Sequence, residues 1–196
     1  MKSTPYAELP EQPPHTRTRT WVKVGLGICC ALIAAMWGYY FFFASDKGVY
    51  QMQDKSWRVA ASKICAAATK EREALTDTSE GYITNPTHEQ MLQRADIVDT
   101  ATDILEQMLN DLVAIPVDND DDVARLQTFE ENYRIILSDR RRYTERLRKF
   151  ELAPYDETLV AGGPVSNVVL DFTAGVKGND VPECSPPGEL GGDVQP

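Results

Sequence analysis

The sequence predicts an all-α protein with a single N-terminal transmembrane helix, an antiparallel three-helix bundle and a mostly irregular C-terminal tail that contains one short helix. Three observations lead to this fold class. Residues 24–44 carry no charge, apolar side chains recur every three or four positions in the segments that follow, and prolines and glycines accumulate after residue 154.

The uncharged segment is VGLGICCALIAAMWGYYFFFA, residues 24–44. As a helix it would be about 31 Å long, which matches the ~30 Å hydrocarbon core of a bilayer. A cleaved signal peptide normally has a shorter apolar region, roughly 7–15 residues, followed by a small-residue cleavage site. A lipoprotein signal has a small residue directly before its cysteine, whereas Ile28 precedes Cys29 here. We therefore predict a retained signal anchor.

Basic residues flank the predicted span unevenly. Arg17, Arg19 and Lys23 precede it closely, whereas only Lys47 follows it equally closely. Because cytoplasmic flanks are enriched in lysine and arginine, we expect the N-terminus in the cytoplasm and the C-terminal domain outside it, at the cell membrane. Residues 1–23 hold four prolines and little apolar content, which predicts a disordered, Pro-rich cytoplasmic tail.

Small residues recur along one side of the predicted span. Gly27, Ala31 and Ala35 are spaced four apart, a pattern that lets two transmembrane helices approach closely. These residues are a candidate dimer face for a homodimer formed through the membrane helix. The alternative is a lipid-facing helix that happens to contain alanine.

Residues 45–154 are expected to form the helical bundle. A first helix over about 50–80 is indicated by apolar residues at helical spacing, and GYITNP, residues 81–86, is a turn. The second helix begins at Thr87, which forms a capping box with Gln90, and it ends before Pro116. The apolar positions of these two helices are Trp57, Ala61, Ile64, Cys65, Ala68 and Leu75, then Met91, Ala95, Val98, Thr102, Leu105, Leu109 and Leu112.

The third helix of the predicted bundle begins near residues 118–122 and runs to about Glu151. Acidic residues at its start and arginines near its end suit the helix dipole. Helices of this length with short connections pack as an antiparallel bundle. The apolar stripe is Val123, Leu126, Phe129, Tyr133, Ile136, Leu137, Tyr143, Leu147 and Phe150.

The C-terminal tail, residues 155–196, is rich in proline and glycine but contains an apolar island at 165–172. Pro164 before the island and Gly175 after it favour a short helix. We expect this helix to pack across the bundle and the tail to stay packed to about residue 186, with the end of the chain frayed.

Only two cysteines, Cys65 and Cys184, lie outside the predicted span, so a single pairing is available. A domain in an oxidising compartment should form this disulfide. The alternative is a pair of thiols in a cytosolic domain, which would also contradict the predicted orientation.

Acidic residues dominate the predicted outer domain, which has 16 basic and 28 acidic side chains after Ala44. A domain of this charge has no electrostatic reason to bind nucleic acid. A basic cluster near the end of the third helix is a candidate anion or partner patch, although a solvated face with i,i+4 ion pairs is the favoured interpretation. The cluster consists of Arg140, Arg141, Arg142, Arg146, Arg148 and Lys149.

Catalytic and metal-binding patterns are weak. The acidic segment 118–122 does not match a calcium loop, because Val123 and Phe129 occupy the positions that require glycine and glutamate. His88 is the only histidine of the outer domain, so no Ser-His-Asp or Cys-His arrangement can be assembled. We expect no enzyme activity, no cofactor and no metal.

The sequence resembles no family that we can name. We expect a non-enzymatic single-pass membrane protein that displays an extracytoplasmic helical interaction domain for another protein, as an accessory subunit, scaffold or envelope-associated binding module. The alternative is an extracytoplasmic sensor or ligand-binding bundle that acts through a partner. A membrane-tethered enzyme or a phage spanin-like component is less favoured.

Overall fold

The structure, a computed structural model, describes residues 16–43, 50–75, 83–152, 154–188 and 194–195. It is mostly helical, with one apolar helix near the N-terminus. Two compact units are present, Met1–Asp46 and Lys47–Pro196. Most of the predicted disordered tail, residues 1–15, lies outside the described residues.

Helix α1, Thr16–Phe43, contains the stretch Trp21–Phe41, which is long and apolar enough to cross a membrane. None of this stretch is buried within the protein. The helix begins before the predicted span, so residues 16–23 are helical, which corrects the predicted disordered tail. The last proline of the tail is Pro14, and after it every residue can donate the backbone hydrogen bond that a helix needs.

Helix α2, Lys55–Glu73, is shorter than the helix predicted over 50–80. Asp54 begins it, because its carboxylate accepts the backbone N–H of Ser56 at 2.7 Å. The buried face consists of Trp57, Ala61, Cys65 and Ala68, while Ile64 and Leu75 are half-buried.

Helix α3, His88–Val113, begins with the predicted capping box. The Thr87 hydroxyl accepts the N–H of Gln90 at 3.2 Å, and the Gln90 side chain accepts the N–H of Thr87 at 2.8 Å. Every predicted apolar position of this helix, from Met91 to Leu112, is buried. The capping box and the stripe are therefore confirmed.

Helix α4, Asp120–Arg148, runs antiparallel to α3, since residues late in α4 contact residues early in α3. The predicted stripe is buried except at its two ends, where Val123 is 38% and Phe150 is 46% exposed. The predicted burial of Val123 and Phe150 is wrong because both residues lie at the ends of the helix. Val123 lies in the first turn. Phe150 lies two residues after Arg148, where the helix ends, and its φ of 59° turns it away from the stripe.

The predicted short helix is confirmed as α5, Val165–Thr173, and a 3-10 helix follows at Pro182–Cys184. The Phe172 ring packs edge-on against Trp57 of α2 at 5.9 Å between centroids and stacks on Phe129 of α4 at 4.5 Å. Helix α2 packs on α3 and on the 3-10 helix, whereas α4 packs on α3 and α5. A bundle of three mutually packed helices is thus not confirmed, because α5 fills the space between α2 and α4.

Two pairs of very short strands correct the all-α prediction. Strands β2, Leu159–Val160, and β3, Gly163–Pro164, form an antiparallel hairpin whose turn residues Ala161 and Gly162 have φ values of 53° and 85°. Strands β1, Ile83–Thr84, and β4, Val194–Gln195, pair in parallel. Two-residue strands are too short to leave a period-2 pattern in the sequence.

The tail turns back sharply after α5. A Cβ atom at Gly175 would lie 2.5 Å from the Asp171 carbonyl oxygen, and one at Gly178 would lie 2.6 Å from the same atom. Glycine is required at both positions, because only its backbone can approach so closely. This turn lets the following residues return to α2.

Candidate functional site

The tail is attached to α2 by the two cysteines of the large unit. The Cys65 and Cys184 sulfurs are 2.03 Å apart and the Cα atoms 5.0 Å apart, the geometry of a disulfide. Cys65 lies on the buried face of α2, and Cys184 ends the 3-10 helix. The structure therefore brings together the pair that the sequence predicts, while Cys29 and Cys30 of α1 are exposed.

Two buried polar side chains hold the segment 50–54, which precedes α2. Asp122 accepts the backbone N–H groups of Gln53 and Asp54 at 2.9 Å. Asn179 accepts the N–H of Met52 at 2.7 Å and donates to the carbonyl oxygen of Tyr50 at 2.9 Å. The segment is thereby fixed between α4 and the tail.

The ionisation of Asp122 reflects these contacts. Burial by itself would raise the pKa of its carboxyl group, but hydrogen bonds from Gln53, Asn119 and Asp54, together with Arg125, lower that pKa below its ordinary value. The pKa of Asp54 is lowered as well, chiefly by hydrogen bonds from Ser56. Both groups are carboxylates at neutral pH, as their role as acceptors requires.

The structure does not bring the predicted basic cluster together as one patch. Arg140 is buried, and its Nε donates to the Thr102 hydroxyl at 3.0 Å. Arg141 contacts Asp103 at 2.9 Å and Glu106 at 2.6 Å, contacts that raise its pKa. These two arginines join α4 to α3.

The other members of the cluster point to different neighbours. Arg148 contacts Asp96 and Asp99 of α3, whereas Arg142 contacts Asp139 and Arg146 contacts Asp156. Lys149 is exposed just after the helix. Internal ion pairs thus account for most of the cluster, which weakens its interpretation as an anion site.

A surface groove of about 640 Å³ lies between α2 and α3. We call it the α2–α3 groove. Its floor is apolar and consists of Ile64, Ala67, Ala68, Leu75, Ile104 and Met108. Because it extends along Thr100 to Asp111 of α3, it is about 17 Å long, or three helical turns.

Acidic side chains border the groove. Among the described residues, Glu71, Asp103 and Asp111 lie along it, with Lys63 as the basic residue of its lining. Asp103 is paired with Arg141, whereas within the described chain neither Glu71 nor Asp111 takes part in an ion pair. The groove therefore combines apolar contact area with carboxylates that lack a basic partner.

Sequence reasoning missed this groove. The signal that could have revealed it is the alanine run at 66–68, where α2 presents small side chains next to the larger Ile104 and Met108 of α3. Small side chains on one helix leave a depression that its neighbour does not fill. Periodicity alone marks these residues only as core or surface.

A second, smaller pocket lies between α4 and α5 and has a volume of about 190 Å³. It is lined by aromatic and aliphatic side chains together with Arg125 and Asn132. The part of the chain that the structure describes holds no group of three or more His, Cys, Asp or Glu side chains placed to bind a metal. His88 is exposed, and its ring packs edge-on against Phe150.

Comparisons with known proteins add nothing to this geometry. No protein-family model, curated protein or solved structure is similar enough to this chain to match it.

Proposed function

We propose that this chain is a non-enzymatic, single-pass membrane protein that displays an extracytoplasmic helical domain, and that this domain binds a helix of another protein in the α2–α3 groove. The protein would serve as an accessory subunit, scaffold or envelope-associated binding module. An amphipathic helix that lays its apolar face in a groove is a recurrent mode of recognition.

The groove is the observation that carries this proposal. Its length of about 17 Å corresponds to three turns of a bound helix. Its apolar floor would take the apolar face of that helix, and Glu71 and Asp111 would attract basic residues beside it. We therefore propose an amphipathic helix with lysine or arginine at its flanks as the partner element.

The proposed orientation is N-terminus inside and C-terminal unit outside. Arg17, Arg19 and Lys23 on the N-terminal side of the span support it. The Cys65–Cys184 pair also supports it, since disulfides persist in extracytoplasmic compartments and are rare in the cytosol. The dimer face formed by Gly27, Ala31 and Ala35 stays a prediction.

Photocrosslinking of the full-length protein in its native membrane tests the partner proposal. A benzoylphenylalanine placed at Ala67, within the groove, should give a discrete adduct with one protein. The same group at Glu131, an exposed position of α4, is the matched control and should not give that adduct. Glu71→Lys and Asp111→Lys should each weaken the adduct from Ala67. Identical patterns at both positions would contradict the proposal.

A ligand-binding sensor that acts through a partner is the second candidate. The pocket between α4 and α5 favours it, because concave apolar sites with a few polar groups are typical of small-molecule binding.

A further inference from the structure

The pocket between α4 and α5 has the size of a single aromatic ring. Its volume is about 190 Å³, and apolar cavities of about 150 Å³ bind benzene. Val168, Val169 and Ala124 form part of the wall. The pocket uses none of the residues that line the α2–α3 groove.

The aromatic wall of the pocket is preformed. Phe129 and Phe172 stack with their ring planes 27° apart, and each is 3% exposed. Phe172 also packs edge-on against Trp57. These rings cannot relax into the space beside them without losing contacts in the core, so the pocket stays open for a third ring.

One polar side chain that lines this pocket keeps a hydrogen-bond acceptor without a partner among the described residues. Asn132 lines the pocket and is 8% exposed. Its Nδ2 donates to the Thr128 carbonyl oxygen at 2.7 Å, which fixes the orientation of the amide. Among the hydrogen bonds of the described residues, none reaches Asn132 Oδ1. A carbonyl oxygen in this position is an acceptor that a ligand donor can satisfy.

The charged residues at the rim of the pocket disfavour an anionic ligand. Of the lining residues that the structure describes, Arg125 alone is charged, and its Nη1 contacts the Asp122 carboxylate at 2.8 Å. The positive charge is therefore matched by the protein itself, and a ligand carboxylate would be placed close to Asp122.

We infer that this pocket binds a neutral, single-ring aromatic molecule with one hydrogen-bond donor, a ligand of the phenol class. The ring would occupy the space beside Phe129 and Phe172, and its hydroxyl would donate to Asn132 Oδ1. This inference does not depend on the proposed partner helix. It adds the binding of a small molecule to the proposed function. The wall of the pocket includes Tyr50, which lies in the chain between α1 and α2.

The test is a titration of the full-length protein in detergent micelles, followed by NMR of labelled valine methyl groups and side-chain amides. Phenol should shift the signals of Val168, Val169 and Asn132 saturably. Toluene should bind about 3- to 10-fold more weakly, because it lacks the donor. Benzoate should bind more weakly than phenol. The absence of saturable shifts, or tighter binding of benzoate, would overturn the inference.

Variants separate the two parts of the site. Asn132→Leu should abolish the preference for phenol over toluene while toluene still binds, and Ala124→Trp should fill the pocket and abolish both. Glu131→Gln, on the same helix and outside the pocket, is the matched control. Phenol shifts that persist in Ala124→Trp would place binding elsewhere.

A final arm distinguishes a free ligand from a partner's side chain. N-acetyl-tyrosinamide carries the same phenol on a peptide backbone, and we expect it to bind no more tightly than phenol. Binding more than tenfold tighter would make the pocket a docking site for a tyrosine of another protein and would contradict the small-molecule assignment.

Discussion

The carboxylate of Asp122 accepts the backbone N–H of Gln53, with both carboxylate oxygens within 3.0 Å of that nitrogen. The two residues are 69 positions apart in the chain. The same carboxylate accepts the N–H of Asp54, the residue that caps α2. The segment that enters the C-terminal unit is thereby fixed to the first turn of α4.

Asp122→Asn should destabilise the C-terminal unit by about 2 kcal/mol, since hydrogen bonds to a charged group contribute about 1.5–3 kcal/mol and an amide would turn its own donors toward backbone N–H groups. The melting temperature of the full-length protein should fall by roughly 4–8 °C. Asp120→Asn, an exposed acid in the same turn, is the control and should leave it unchanged. Equal effects of the two substitutions would show that the hydrogen bonds accepted by Asp122 do not stabilise the unit.

The stability should also depend on pH through Asp122. Its pKa is lower in the folded protein than in the unfolded chain, so the unfolded state takes up the proton more readily as the pH falls. The stabilisation is therefore complete above about pH 4–5 and is lost as the pH falls through the folded pKa. Thermal melts between pH 6 and pH 3 should show a smaller acid-induced loss in Asp122→Asn than in the wild type. Parallel curves would contradict this assignment.

The Cys65–Cys184 pair should contribute strongly to stability. The cysteines are 119 positions apart, and loop-closure theory gives about 4–5 kcal/mol for a disulfide that closes such a loop. Cys184→Ala should lower the melting temperature under non-reducing conditions, whereas Cys29→Ala, in α1, should not.

A non-reduced digest of the protein from native membranes should contain the peptides of Cys65 and Cys184 joined by a disulfide, as detected by mass spectrometry. Two free thiols would argue against both the bond and the outer location.

Sequence reasoning found the elements whose signals are local. The capping box of Thr87 and Gln90 and the stripe of α3 depend on spacings of three or four residues, and both were predicted correctly. The packing of α5 between α2 and α4 could not be derived in detail, because Trp57, Phe129 and Phe172 meet across long sequence separations. The prediction therefore included a short helix packed across the bundle but not its place between α2 and α4.

Two buried polar residues of α4 were missed for a different reason. Asp122 and Arg140 lie at the stripe spacing, since Asp122 precedes Leu126 by four positions and Arg140 follows Leu137 by three. The acidic segment of Asp122 was explained by the helix dipole and the cluster of Arg140 by a solvated face, although both side chains are buried. The spacing could have indicated burial, but their partners, Gln53 and Thr102, could not be read from the sequence.

The core stripe of α3 supports a matched pair of substitutions. Leu105 is 3% exposed and Leu92, on the same helix, is 36% exposed. Leu105→Asp should destabilise the C-terminal unit by about 3–5 kcal/mol, because it buries a charge without a partner. Leu92→Asp should cost less than about 1 kcal/mol. Thermal or denaturant unfolding of the full-length variants checks this, and similar losses at both sites would contradict the burial of the stripe.

The proposed orientation places the C-terminal unit outside the cytoplasm, and protease accessibility in intact cells or spheroplasts distinguishes it from the reverse orientation. The full-length protein would carry one tag at each end. Added protease should remove the C-terminal tag and spare the N-terminal tag until the membrane is permeabilised. Digestion of the N-terminal tag with protection of the C-terminal tag would contradict the proposed orientation.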